Sequence, residues 1–265
     1  MESEELRIGV FDSGLGGLTV VQAMTKVIKG AEIFYVADTK NAPYGEKTPE
    51  QILQYSLNIT KFLIQTHQID ALIVACNTAT SAAIKEIRRQ YPDLMVIGTE
   101  PGIKPAFEQT QTGQVGVLAT PATLKGEKYQ QLASVLSTKK EVVLYEQACP
   151  GLVEQIEKGE IHTDKTREML ENWLHPMREA DVDTIVLGCT HYPLVSDVIE
   201  HVMQRRMNLI HTGEAIAKHL LRLSRENGHR NHGKLTGVLY TTAKISKDIV
   251  SNIFGREIEI RSINL

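Results

Sequence analysis

Short, continuous apolar runs alternate along the chain with longer stretches in which apolar residues recur every three or four positions, a pattern that predicts β-strands and α-helices in turn. The runs RIGVFD, EIFYVAD, ALIVAC and LMVIG are too uniformly apolar for strands with one wet face, so they predict a buried, mostly parallel sheet. Between them, LTVVQAMTKVIK, PEQILQYSLNITKFLIQ and SAAIKEIRRQY carry helical spacing, and Pro49 suits the first turn of the second. A turn at Pro101 and Gly102 ends this series. The pattern then restarts with the strand VGVLAT, a helix over about 124–136, the strand EVVLYEQ, helical stretches over 152–178 and the strand TIVLGC. The last segment predicts a helix at GEAIAKHLLRLSRE, a polar turn at ENGHRNHGK, a strand at GVLYTT and a helix at KISKDIVSNIFG.

The restart has the marks of a repeat. RIGVFDSG, from Arg7 to Gly14, matches QVGVLATP, from Gln114 to Pro121, with Gly9 opposite Gly116. EIFYVAD from Glu32 matches EVVLYEQ from Glu141, and DALIVACNT from Asp70 matches DTIVLGCTH from Asp183. In that last pair Cys76 and Cys189 each end a strand, six positions after an Asp. Three matching strands in one order predict an ancient duplication into two similar α/β domains, each a mostly parallel sheet flanked by helices. The final segment has no sheet of its own to join and is expected to complete the first domain. That gives residues 1–98 with 210–265 as one domain and 99–209 as the other.

At 265 residues the chain has room for two cores. Its 42% hydrophobic and 23% charged residues are ordinary globular usage, which excludes a disordered or fibrous chain. A net charge of −3 gives no general attraction to a phosphate backbone or an anionic bilayer, so neither nucleic acid nor membrane is expected as a partner. No apolar run approaches the roughly 20 residues that span a bilayer. The start, MESEELRIGV, is acidic where a signal peptide is basic. Three cysteines without a CxxC spacing suit reduced thiols in the cytoplasm better than a disulfide framework.

Candidate chemistry sits just beyond the strand ends, where open parallel sheets gather ligands. After the first strand come Asp12, Ser13, Gly14, Gly16 and Gly17, whose backbone N–H groups suit a carboxylate or phosphate. Thr19 stands where a dinucleotide fingerprint needs Gly, and no GK[ST] follows, so no nucleotide cofactor is expected. After the second strand, DTKNAPYGEKT offers the Tyr44 hydroxyl and the Gly45 N–H on a loop stiffened by Pro43. Cys76 is followed by Asn77 and Thr78, and Cys189 by Thr190 and His191. One buried Cys is more often a small core hydrophobe, but two at equivalent strand ends with polar neighbours point to chemistry. Cys149 has no counterpart thiol and reads as structural. No HExxH or CxxC supplies a metal site, and no distinctive lysine setting suggests a pyridoxal phosphate enzyme. Paired thiols suggest proton transfer at a stereocentre, one removing a proton and the other supplying one from the far side. An ordinary thiol titrates near about 8.5, so each needs a helper, and Asp12 and His191 are placed to serve.

FDSGLGGLTV, ADTKNAPYG, VACNTAT, CPGLVEQIEKGE and VLGCTHYPL span Phe11 to Leu194, and HTGEAIA follows near the carboxyl end. Together they resemble the glutamate racemases of the cofactor-independent aspartate/glutamate racemase superfamily. The resemblance implies two similar α/β domains with the active site in the interdomain cleft, and interconversion of L- and D-glutamate for peptidoglycan. It implies no cofactor and no metal, a cytoplasmic setting and a homodimer. By it, Cys76 exchanges the proton on one face with Asp12 assisting, and Cys189 on the other with His191 and Glu157 assisting. Ser13, Tyr44, Gly45, Asn77, Thr78 and Thr190 match substrate-binding positions together with Asp12 and His191, and Thr120 and Thr123 are added to them. One departure is visible: where many relatives carry TxxSxxY, this chain has Thr123, Gly126 and Tyr129. Two other readings stay open, racemisation of aspartate or a related amino acid, and a non-enzymatic two-lobed module that closes on an amino acid. The second has no use for paired thiols.

Overall fold

The computed structural model describes residues 5–100, 102–138, 142–245, 247–254 and 258–265. The acidic start over 1–4, Pro101 of the predicted turn, Glu141 of a predicted strand, and Ser246 and Gly255 of the last predicted helix lie outside the described residues. In chain order the elements begin with β1 (Leu6–Asp12), α1 (Leu18–Thr25), β2 (Ala31–Ala37), α2 (Pro49–His67), β3 (Ala71–Val74), α3 (Asn77–Gln90) and β4 (Met95–Gly98). There follow α4 (Ile103–Gln109), β5 (Gln114–Ala119), α5 (Pro121–Lys125), α6 (Glu127–Ser137), β6 (Val143–Ala148), α7 (Leu152–Glu157), α8 (Asp164–Glu179), β7 (Thr184–Gly188), α9 (Ser196–Met203) and β8 (Asn208–Ile210). The chain closes with α10 (Gly213–Glu226), β9 (Leu235–Thr241), α11 (Lys247–Phe254) and β10 (Ile260–Ser262). It divides into two compact units, Met1–Thr99 with Gly213–Leu265, and Glu100–Thr212.

The first unit is built on a six-stranded sheet in the order β10-β9-β2-β1-β3-β4, with every neighbouring pair parallel. Strand residues alternate between its faces. Phe11, Phe34, Leu72 and Val74 meet Ile52, Ile59 and Leu63 of α2 and Ala83, Ile84 and Ile87 of α3. Ile33 and Tyr35 point the other way, towards Leu18 and Val21 of α1, and the start of α10 lies against α1 at Ala23. α2 begins as its sequence demands: Thr48 and Gln51 form a reciprocal capping box and Pro49 occupies the first turn.

The second unit carries a four-stranded parallel sheet in the order β6-β5-β7-β8. Val115, Val117, Ala119 and Val186 pack on α4 and α6. On the opposite face, Leu118, Ile185 and Leu187 pack on α7, α8 and α9. Fully buried leucines such as Leu170 and Leu174 each contribute roughly 1.5–3 kcal/mol to holding α8 on this sheet.

The strand order β2-β1-β3-β4 reproduces β6-β5-β7-β8, so the repeat is visible as topology. Gly9 pairs with Phe34 and Leu72 as Gly116 pairs with Tyr145 and Ile185. One pairing read from sequence is corrected by this register. Phe34 stands opposite Tyr145, not Val143, so the counterpart of Asp38 is Cys149. A slip of two residues keeps every side chain on its own face, and apolar pattern cannot detect it. The single helix expected over 124–136 is two helices, parted where Gly126 is extended (φ −63°, ψ 132°). The sequence reading also missed α4, α9, β8 and β10, which are short or weakly patterned. Among the described residues, no helix is long and apolar enough to cross a membrane.

The aspartates six residues before each strand-end cysteine lie at the opposite end of their strands and serve the fold. Asp70 Oδ2 accepts the Arg7 N–H at 2.8 Å. Asp183 accepts the Thr110 hydroxyl at 2.6 Å and the N–H groups of Gln111 and Thr112 at 2.6 and 3.0 Å. Burial works to raise the Asp183 carboxyl, but these donors prevail and hold it below the ordinary range. A depressed carboxyl stabilises the fold above its unfolded value, and that contribution is lost as pH falls through the folded one. We expect Asp183→Ala to cost about 1–2 kcal/mol near neutral pH, read as an earlier urea midpoint. The gap to the parent protein should close in acid, and a gap independent of pH would contradict this role.

Candidate active site

Everything chemical in the first unit gathers at the carboxyl ends of β1, β2 and β3. Asp12 ends β1 fully buried, and its Oδ2 accepts the N–H of Gly17 at 2.9 Å and of Gly14 at 3.4 Å. The Tyr35 hydroxyl donates to the Gly14 carbonyl at 2.7 Å, which holds the far side of the same loop. A Cβ at residue 17 would lie 2.7 Å from both Asp12 Cβ and the Tyr35 hydroxyl oxygen, so this close approach requires glycine. Ser13 is buried beside Asp12.

Just beyond β2 stands Asp38, which the sequence reading did not single out. Its carboxylate accepts the Tyr44 hydroxyl at 2.6 Å, the Asn41 amide at 3.0 Å and the Thr242 hydroxyl at 2.8 Å. It thereby ties the loop carrying Tyr44 and Gly45 to the end of β9. A carboxylate directly after β2, much as Asp12 closes β1, was the available signal. Tyr44 is fully buried; burial first, then the charge and hydrogen bond of Asp38, push its phenol well above the ordinary value, with smaller effects from Cys76 and Asp12. The Asp38 N–H donates to the Asp12 carbonyl at 3.0 Å, and Tyr44 and Cys76 share one buried cluster, so Asp12, Asp38, Tyr44 and Cys76 lie in one neighbourhood. We expect Tyr44→Phe to lower stability by about 1.5–3 kcal/mol, the range for hydrogen bonds to charged groups. An unfolding midpoint equal to the parent's would remove the Asp38 latch from the account.

Cys76 follows β3 and is itself the N-cap of α3: its Sγ accepts the Ala79 N–H at 3.4 Å. The amino end of a helix favours negative charge, and a thiol there is placed to carry it. Asn77 and Thr78, in the first turn, are buried with it.

The second unit holds its thiol differently. Cys189 follows β7, and His191, two residues on, brings Nδ1 to 3.7 Å from its Sγ. The other ring nitrogen, Nε2, lies 2.5 Å from Glu157 Oε1 at the end of α7. Burial opposes charge on this 2%-exposed imidazole. The hydrogen bonds to Cys189 and Glu157 outweigh it and raise the group well above its usual value. Glu157 is therefore joined to the thiol through one ring. Thr190 is buried beside Cys189. Thr120 caps α5, accepting the Thr123 N–H at 3.2 Å and donating its hydroxyl to Thr123 Oγ1 at 2.9 Å.

Cys149, the structural counterpart of Asp38, is buried against the core, and burial drives its thiol far up, away from the charged form. All three cysteines are thiols, not disulfides. Among the described residues, no group of three or more His, Cys, Asp or Glu is arranged to hold a metal ion.

The family model described as Asp/Glu/Hydantoin racemase matches residues 8–220. A protein of Sulfurovum sp. named glutamate racemase is 71% identical over 248 residues, 94% of each chain. Among solved structures, that of glutamate racemase isoform RacE1 from Bacillus anthracis matches with a TM-score of 0.87 at 29% identity, covering 99% of each chain. Escherichia coli glutamate racemase, in complex with L-glutamate and the activator UDP-MurNAc-ala, matches with a TM-score of 0.84 at 27% identity, covering 97% of each chain.

Proposed function

The chain belongs to the Asp/Glu/Hydantoin racemase family, and on that premise we propose that it interconverts L- and D-glutamate without a cofactor, one thiol from each unit serving one face of Cα. The observation that carries this reading is the pair of thiols at matching strand ends, each with its own charge-stabilising partner. Cys76 has the first turn of α3; Cys189 has the His191 imidazole backed by Glu157.

The thiolate of one unit removes the Cα proton, and the thiol of the other delivers a proton to the opposite face. One hydrogen leaves Cα and another replaces it, so the composition of the substrate is unchanged. The turnover leaves the two sulfurs in exchanged protonation states, which is the arrangement the product enantiomer needs for the reverse reaction. Asp12, held by the Gly14 and Gly17 N–H groups, assists at Cys76, and His191 with Glu157 assists at Cys189. Ser13, Tyr44, Gly45, Asn77, Thr78, Thr120, Thr123 and Thr190 are the proposed substrate contacts. They offer hydroxyl, amide and N–H groups suited to an amino acid bearing two carboxylates.

The product would supply D-glutamate for peptidoglycan. A cytoplasmic setting agrees with three cysteines kept as thiols. A homodimer is proposed with it, and sedimentation velocity reads that directly. The activity itself is tested by incubating purified protein with L-glutamate, no cofactor added, and resolving the enantiomers by chiral chromatography. D-glutamate should accumulate to an equal mixture. No D-isomer would reject the reading, and faster turnover of L-aspartate would replace it with the aspartate alternative.

A further inference from the structure

Behind Cys76 lies a buried knot of hydroxyls that no substrate-facing role explains. Thr80 sits one turn along α3; its N–H donates to the Cys76 carbonyl at 2.8 Å, the first hydrogen bond of the helix. Its side chain is 2% exposed, and its hydroxyl donates to the Val74 carbonyl at 3.1 Å, at the end of β3. The same oxygen accepts the Thr99 N–H at 3.1 Å and lies 3.1 Å from Thr99 Oγ1. A hydroxyl has one proton and two lone pairs. With the proton committed to Val74, the Thr99 hydroxyl must be the donor in the last contact, and every bonding capacity of Thr80 is filled. Gly98 makes the approach possible, since a Cβ there would lie 2.6 Å from Thr80 Cγ2 and 2.3 Å from Ile84 Cδ1.

The knot therefore clamps three things together: the strand end two residues before Cys76, the helix turn that Cys76 caps, and the residue that follows β4. Among the described residues of the second unit, no hydroxyl stands at the position matching Thr80. Four residues after Cys189 stands Pro193, within a 3₁₀ turn over Tyr192–Val195. That thiol leans on His191 instead.

We propose that Thr80 is a positioning residue for Cys76, fixing the β3–α3 elbow so that Sγ keeps its hydrogen bond from the Ala79 N–H and its aim at the substrate. This rests on the racemase reading for its consequence in turnover, but not for its effect on the thiol. A shift of a fraction of an ångström at a reacting group suffices to cost about tenfold or more in rate.

The test compares Thr80→Val and Thr80→Ser with the parent protein, measuring turnover and, separately, the alkylation of each cysteine by iodoacetamide through peptide mass spectrometry. Thr80→Val should lower kcat about tenfold with KM nearly unchanged, and slow alkylation of Cys76 by a similar factor. Cys189 alkylation should be unaffected, and Thr80→Ser should restore both quantities to within about twofold, because it keeps the oxygen. Unchanged Cys76 alkylation, equal slowing at both thiols, or failure of Ser to rescue would overturn the proposal. If Thr80→Val does not fold, Thr99→Val, which removes only the hydroxyl arm of the knot, should still slow Cys76 selectively. Equal reactivity of Cys76 in that variant and the parent overturns the proposal in that case. A chain that never converts glutamate, yet shows the selective slowing of Cys76, would reject the racemase reading while leaving Thr80 in its role.

Discussion

Cys76→Ala and Cys189→Ala are each expected to lower kcat/KM for glutamate by about a thousandfold or more, with the folded structure retained. Positioned proton transfer contributes about 10²–10⁴ in rate, and each thiol is the proposed proton carrier on its own face, so either loss stops inversion. The neighbours cannot take over: Asp12 is committed to the N–H groups of Gly14 and Gly17, and His191 stands behind its sulfur with Glu157 at its far nitrogen. The reaction also equalises the two directions, because enantiomers have an equilibrium constant of one. Each variant must therefore lose the same factor in kcat/KM whether L- or D-glutamate is supplied. Cys149→Ala is the contrasting case. Its thiol is held protonated by burial, so activity should stay within a few-fold while stability falls with the lost packing. Near-full activity in either of the first two variants would refute the two-thiol mechanism.

The second large effect is expected at the His191–Glu157 pair. His191→Asn removes a proton-holding group beside Cys189 and should lower kcat/KM by about a hundredfold or more; Glu157→Gln, which keeps the hydrogen-bond geometry and deletes the charge, should cost less. Their pH behaviour follows from the direction of the shift. The folded imidazole titrates above its unfolded value, so its stabilising contribution is complete below about 6.5. It is lost as pH rises through the higher folded value. With Glu157→Gln that folded value drops, and the alkaline loss of this stabilisation should begin at lower pH. A ¹³C-labelled His191 resonance should show the same displacement. A titration curve identical in the two proteins would show that Glu157 does not govern this ring.

Much of this architecture is legible in the sequence, and the reasons for the exceptions are physical. Parallel strands buried on both faces announce themselves as apolar runs, so β1, β3, β5 and β7 were visible, and with them both cysteines. The capping signals of α2 were equally direct in Thr48, Pro49 and Gln51. The partnership of β2 with β6 was misread by two residues because alternation has a period of two. The break at Gly126 was hidden because helical spacing continues on both sides of it. Glu157 lies 34 residues from His191, and no local pattern could join them; only the resemblance did. Asp38 and Thr80 were missed for opposite reasons. One looked like turn chemistry and the other like helix interior, and both act through hydrogen bonds to distant strands. The aspartates before each thiol strand illustrate the converse: a repeated residue can mark the frame and not the chemistry.

The central claim is that two different thiols handle the two faces of Cα, and following the α-hydrogen tests it most directly. L-glutamate is converted in D₂O, and product and remaining substrate are analysed by mass spectrometry at low conversion. A proton taken by one sulfur while solvent-derived deuterium is delivered by the other predicts D-glutamate carrying deuterium at Cα, with the unreacted L-glutamate still largely protiated. D-glutamate that retains the original hydrogen would mean one group serves both faces, and would contradict the account.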